Sequence, residues 1–192
     1  MYYTYLARRK PFHYGTQTTI VVLTSGSDTN LQALIDAQNT PALPNVEISL
    51  VLSNRKAAYE KLDLVVLAGW MHVLGEGFWD LVYIKERPIP VINLHPALPG
   101  EFDGVNGIER AYEAVQKGEI TRSGTMVDGG EPLVVTEMPF EGNEALEAYE
   151  ERLHKAEWEI IVTGAKMVLD KFGCPKPVIS HTLRKKKSRG NL

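Results

Sequence analysis

Short apolar runs, each closed by a polar turn, recur along the chain. Residues 19–23 (Thr-Ile-Val-Val-Leu) form a β-branched run that stops at the polar turn 24–30 and passes into 31–37 (Leu-Gln-Ala-Leu-Ile-Asp-Ala), whose apolar positions recur at helical spacing. The pattern predicts strand, turn, helix. The strand has almost no polar position, as expected where helices cover both faces of a parallel sheet. Residues 46–52, 62–68, 89–93 and 124–127 repeat the type, with helix-like stretches between several of them. Together they predict an α/β fold with a doubly wound, mostly parallel sheet and helices on both faces. The clearest helix spans about 144–172, with Leu146, Tyr149, Leu153, Ala156, Ile160, Val168 and Leu169 forming its apolar stripe.

One interval resists this pattern. The run ending near Asn54 is followed, after only residues 55–62, by the next buried strand, whereas a parallel crossover takes about a dozen residues. Either the two strands are not neighbours, or the sequence lacks a crossover segment present in a longer form, and the second explanation is the one favoured. The same expectation attaches to 124–130, where a strand runs straight into Gly129-Gly130. Residues 1–17 lack a steady period and read as an extension, 18–172 as one domain, and 173–192 as a tail broken by Gly173, Pro175 and Pro177 and ending in a basic run.

Composition narrows the classes of function. With 44% hydrophobic and 23% charged residues among 192, the chain can bury one good-sized core. A net charge of −3 gives no general electrostatic reason to bind nucleic acid or an anionic membrane, and the basic tail has no interleaved aromatics. Cys174 is the only cysteine, so an intramolecular disulfide is excluded. No apolar run approaches the roughly 18–20 residues of a membrane span. A cytoplasmic protein acting on small molecules is expected.

Four places could carry chemistry. The turn 25–30 joins a strand end to a helix start, where free N–H groups attract anions; Ser25, Ser27, Thr29 and Asn30 suit a phosphate, while Asp28 opposes one. A capped turn and an anion-binding loop both fit. At the end of the run 89–93, alternation places Asn93 and His95 on one side, pairing a neutral donor for a developing oxyanion with a group that moves protons near neutral pH. Asp128, before Gly129-Gly130, could orient a histidine or simply make a turn. Glu157 falls inside the apolar stripe of the long helix and needs a partner there, whether ligand or protein. The five histidines lack ligand spacing, and no metal is expected.

Taken together, the blocks 20–36, Leu67-Ala68-Gly69-Trp70-Met71, Ile92-Asn93-Leu94-His95-Pro96-Ala97-Leu98-Pro99-Gly100 and Asp128-Gly129-Gly130-Glu131-Pro132 resemble the phosphoribosylglycinamide formyltransferase family of folate-dependent enzymes. The resemblance covers about 18–169 and implies a Rossmann-like formyltransferase fold. It further implies transfer of a formyl group from 10-formyltetrahydrofolate, a co-substrate, to the amine of glycinamide ribonucleotide in purine biosynthesis. Asn93, His95 and Asp128 would form the catalytic trio, Asp128 holding the imidazole. Ser27, Asp28, Thr29 and Asn30 would hold the substrate phosphate, and Glu157 the glycinamide portion. The pterin would sit near Met71, His72, Val73, Leu74 and Val127. Asp28 stands where the family has glycine. A silent phosphate- or folate-binding relative and formyltetrahydrofolate deformylase are the alternatives.

Overall fold

The computed structural model describes residues 17–24, 29–49, 62–70, 72–83 and 88–172. Their elements run β1 (Thr18–Leu23), α1 (Thr29–Ala37), β2 (Val46–Ser49), β3 (Leu64–Leu67), α2 (Glu76–Val82), β4 (Val91–His95), α3 (Gly107–Gln116), β5 (Arg122–Asp128), β6 (Pro132–Pro139) and α4 (Leu146–Phe172). The strands form one six-stranded sheet in the order β2-β1-β3-β4-β5-β6. Strands β2, β1, β3 and β4 pair in parallel, whereas β4–β5 and β5–β6 are antiparallel.

Alternation along each parallel strand feeds two cores. Ile20, Val22, Leu64, Val66, Ile92 and Leu94 pack with Val127 against Leu34 of α1 and Ile160, Ile161, Ala165 and Val168 of α4. Val21, Val65 and Leu67 point the other way, against Val82 of α2, with Trp70, Leu74, Phe78 and Trp79 beside them. This two-sided burial is why β1 and β3 read as unbroken apolar runs. At the far end, α4 stacks Tyr149 on Phe140 at 4.1 Å and packs Leu153 near Met138.

The strand-neighbour puzzle resolves through topology. Strands β2 and β3 both pair with β1, on its opposite edges, so they are not neighbours and no direct crossover joins them side by side. This corrects the preference for a missing segment as the sole explanation; residues 50–61, between them, lie outside the described residues. A second correction concerns 132–139. Sequence reading placed no strand there, yet β6 closes a hairpin with β5 at the sheet edge, and its terminal Pro132 and Pro139 are residues that edge strands tolerate. Gly124 makes that hairpin possible, since a Cβ there would collide with the Thr136 carbonyl and come within 2.7 Å of Leu98.

Candidate active site

The chain leaves β1 toward β2 on one side and β3 toward β4 on the other, so the sheet has its switch point between β1 and β3. In such sheets a crevice opens beyond the carboxyl ends of the strands at that point. Thr29 and Asn30 begin α1 beyond β1, Trp70 and 72–74 follow β3, and Asn93 and His95 end β4.

Strand β4 alternates strictly. Ile92 and Leu94 are buried toward α4, leaving Asn93 and His95 half-buried on the opposite face, as the sequence predicts. Antiparallel pairing then sets Asp128 directly across from Asn93 and Met126 across from His95. Asn93 Nδ2 donates to Asp128 Oδ2 at 3.5 Å, and the Gly130 amide donates to Asp128 Oδ1 at 3.3 Å. A carboxylate only accepts, so this contact fixes the Asn93 amide with its nitrogen toward Asp128. The expectation that Asp128 holds the imidazole is therefore corrected: its oxygens serve Asn93 and the turn. The carboxylate near His95 is Asp103, whose Oδ1 lies 3.4 Å from Nε2. That approach lacks hydrogen-bond alignment, and Nε2 remains buried without a bonded partner.

A second cluster lies where α1 meets α4. Glu157 is buried in the helix stripe, and its Oε2 accepts from Asn30 Nδ2 at 3.4 Å and from His154 Nδ1 at 2.9 Å. Asn30 is itself buried, and its Oδ1 has no donor. The bond to Glu157 holds the His154 imidazole above its usual range; burial opposes this, while the charges of Glu157 and Glu150 add to it. Sequence reading brought Asn30 and Glu157 to one site but passed over His154. Its spacing of three from Glu157 on a helix was the available signal.

The remaining predicted positions divide. Thr29 is exposed at the start of α1. His72 and Val73 are exposed, Leu74 is half-buried beside the second core, and the edge of the His72 ring meets Trp70 at 5.1 Å. Trp70 Nε1 is buried with no acceptor. Val127 is corrected: its side chain is fully buried in the α4-facing core, against Gly164, and does not line the crevice. Ser27, Asp28 and Met71 lie outside the described residues. Among the described residues, no group of three or more His, Cys, Asp and Glu side chains could hold a metal, and no helix is long and apolar enough to cross a membrane.

Asn30 Oδ1, Trp70 Nε1 and His95 Nε2 are thus buried polar atoms without bonds, one after each of β1, β3 and β4 or at its end. Buried polar atoms are nearly always paired, so three such orphans along one sheet edge mark where a polar ligand would bond.

Comparison with known proteins gives this geometry a context. A family model described as formyl transferase matches residues 56–164. A phosphoribosylglycinamide formyltransferase of Schizosaccharomyces pombe is 37% identical over 202 residues, covering 79% of this chain and 97% of the relative. That of Dictyostelium discoideum is 33% identical and covers 79% of this chain and 98% of its own. The aligned stretch of 202 residues exceeds the whole 192 here, so the Schizosaccharomyces relative carries segments with no counterpart in this chain. In fold, the chain is similar to the crystal structure of phosphoribosylglycinamide formyltransferase from Anaplasma phagocytophilum, with a TM-score of 0.62, 24% identity, and coverage of 81% of this chain and 89% of that one.

Proposed function

We infer, for a chain that belongs to the formyl transferase family, the reaction its relatives are named for: transfer of a formyl group to the amine of glycinamide ribonucleotide, in purine biosynthesis. The enzyme is a one-carbon group transferase working on small molecules. We assign 10-formyltetrahydrofolate as the formyl donor and the cytoplasm as the place of action. The supporting observation is the set of unpartnered polar atoms at the carboxyl edge, beside an Asn93 amide already oriented by Asp128.

Each residue then has a task. Asn30 and Glu157 receive the glycinamide end, Asn30 Oδ1 accepting from a substrate N–H and the Glu157 carboxylate favouring the amine beside it. The ribonucleotide phosphate falls to the turn 27–30 at the N-terminus of α1. The folate side lies along 71–74 and Trp70, whose indole N–H seeks an acceptor. The donor supplies the formyl carbon, attached through N10. When the amine lone pair bonds to that carbon, the C=O electron pair moves onto oxygen, and Asn93 donates its second N–H to the resulting oxyanion. His95 takes the proton that the attacking nitrogen loses and delivers it to N10 as the C–N10 bond breaks, its electron pair staying on N10. No acyl-enzyme forms.

The test is release of tetrahydrofolate from 10-formyltetrahydrofolate with and without glycinamide ribonucleotide. Release that requires the ribonucleotide is expected. Release without it would indicate hydrolysis, as in a deformylase, and ribonucleotide binding without release would indicate a silent binding protein.

A further inference from the structure

Asp128 is committed to Asn93 and the Gly130 amide, which leaves the imidazole without the carboxylate expected for it. The loop after β4 supplies another. Residues 99–106 place Gly100 (φ 78°), Phe102 (φ 48°), Gly104 (φ 92°) and Asn106 (φ 55°) in the left-handed region. For Phe102 this conformation is strained, and such strain persists only where the surroundings enforce it, most often at functional sites. The enforcing group is Arg110 of α3. Its Nη2 donates to the carbonyls of Phe102 at 2.6 Å and Asp103 at 2.7 Å, its Nε reaches the Asn106 carbonyl at 3.4 Å, and its guanidinium lies 6.0 Å from the centre of the Phe102 ring. Gly107 completes the clamp, since a Cβ there would sit 3.1 Å from the Phe102 carbonyl oxygen.

The clamp fixes the backbone on either side of the Asp103 Cα and turns its carboxylate toward His95 Nε2. The loop's other carboxylate, Glu101, is engaged with Arg122 at 3.5 Å. We propose that Asp103 is a positioning residue for formyl transfer, holding the Nε2–H of His95 so that Nδ1 is the nitrogen that carries the proton. Asp103 acts through the imidazole and touches neither substrate. Its 3.4 Å approach fits an unliganded site, where such bonds are long and tighten as substrates exclude water. Division of labour follows: Asp128 orients the oxyanion donor, and Asp103 orients the proton carrier. The proposal rests on the reading of His95 given above.

The experiment compares Asp103→Asn, Asp103→Glu and His95→Ala with the unsubstituted enzyme, using glycinamide ribonucleotide and 10-formyltetrahydrofolate. Asp103→Asn should lower kcat about tenfold, less than the roughly 10⁴-fold that a buried orienting carboxylate can supply, because Asp103 is exposed. KM for both substrates should stay within about twofold, since uniform binding is untouched. Asp103→Glu should recover part of kcat. The ¹⁵N resonances of the His95 ring should show the Nε2–H tautomer in the unsubstituted enzyme and a mixture in Asp103→Asn. Unchanged kcat and tautomer in Asp103→Asn, with His95→Ala inactive, would overturn the role of Asp103 alone. Full activity of His95→Ala would overturn the reading of His95 and the positioning role with it.

Discussion

Replacing Gly164 by alanine tests how tightly α4 must lie against β5. A Cβ on Gly164 would stand 2.6 Å from Val127 Cγ1 and 3.1 Å from its Cβ, against about 3.5–4.0 Å for an ordinary carbon contact. Val127 is fully buried among core side chains and cannot swing clear, so the helix must lift by a sizeable fraction of an ångström. Overpacking of this kind costs about 1–3 kcal/mol, whereas alanine in place of glycine inside a helix returns about 1 kcal/mol. A net loss of about 1 kcal/mol is expected, read as a lower urea midpoint. Val127→Ala removes both Cγ atoms, so the double variant should be more stable than the summed single effects predict by about 1 kcal/mol. Val127 immediately precedes Asp128, so Gly164→Ala should also lower kcat while leaving KM nearly unchanged. A Gly164→Ala protein more stable than the original, with additive effects in the double variant, would refute the close-packing argument.

Other substitutions probe the site and its frame. His95→Ala should lower kcat by about 10²-fold or more with little change in KM; a loss confined to KM would contradict a role in proton transfer. Asn93→Ala should lower kcat by about 10²–10³-fold, and full activity would remove the oxyanion role. Because Glu157 raises the His154 imidazole in the folded state, their pairing stabilises fully below the unfolded value of about 6.5 and is lost as pH rises through the raised folded value. Its worth should be below about 1 kcal/mol, since the His154 side chain is 39% exposed, and urea midpoints at acid and alkaline pH should show it vanish in Glu157→Gln. Gly124→Ala should cost about 3 kcal/mol, because the added Cβ meets a backbone carbonyl held in the ladder; an unchanged midpoint would show that β6 can move.

The legible parts of this protein were those written in local periodicity. The run 19–23, the helix starting near Asn30 and the stripe of α4 announce themselves by spacing, and alternation alone brings Asn93 and His95 to one face. Pairing across strands is not local. Strand β6 went unread because its flanking prolines look like turn punctuation unless the strand is known to be at an edge. The position of β1 between β2 and β3 is likewise a property of the assembled sheet. For the carboxylates, sequence identified Asp128 as a site residue but not its partner, since only the register with β4 shows it facing Asn93. Asp103 had no periodic signal at all: its approach to His95 comes from a left-handed loop gripped by an arginine of the next helix.

Strand β4 pairs in parallel with β3 on one edge and antiparallel with β5 on the other, so Asn93 faces Leu67 on one flank and Asp128 on the other. These flanks have different folding histories. The β5–β6 hairpin closes through residues 129–131 and can form early from nearby segments, whereas the parallel pairings wait for distant parts of the chain to meet. The Asn93–Asp128 opposition spans that boundary and exists only once the early hairpin docks on the late-forming sheet. Activity should therefore return in refolding with the slowest phase, after most strand signal has recovered, so that a partly assembled chain has no competent centre with which to consume its substrates.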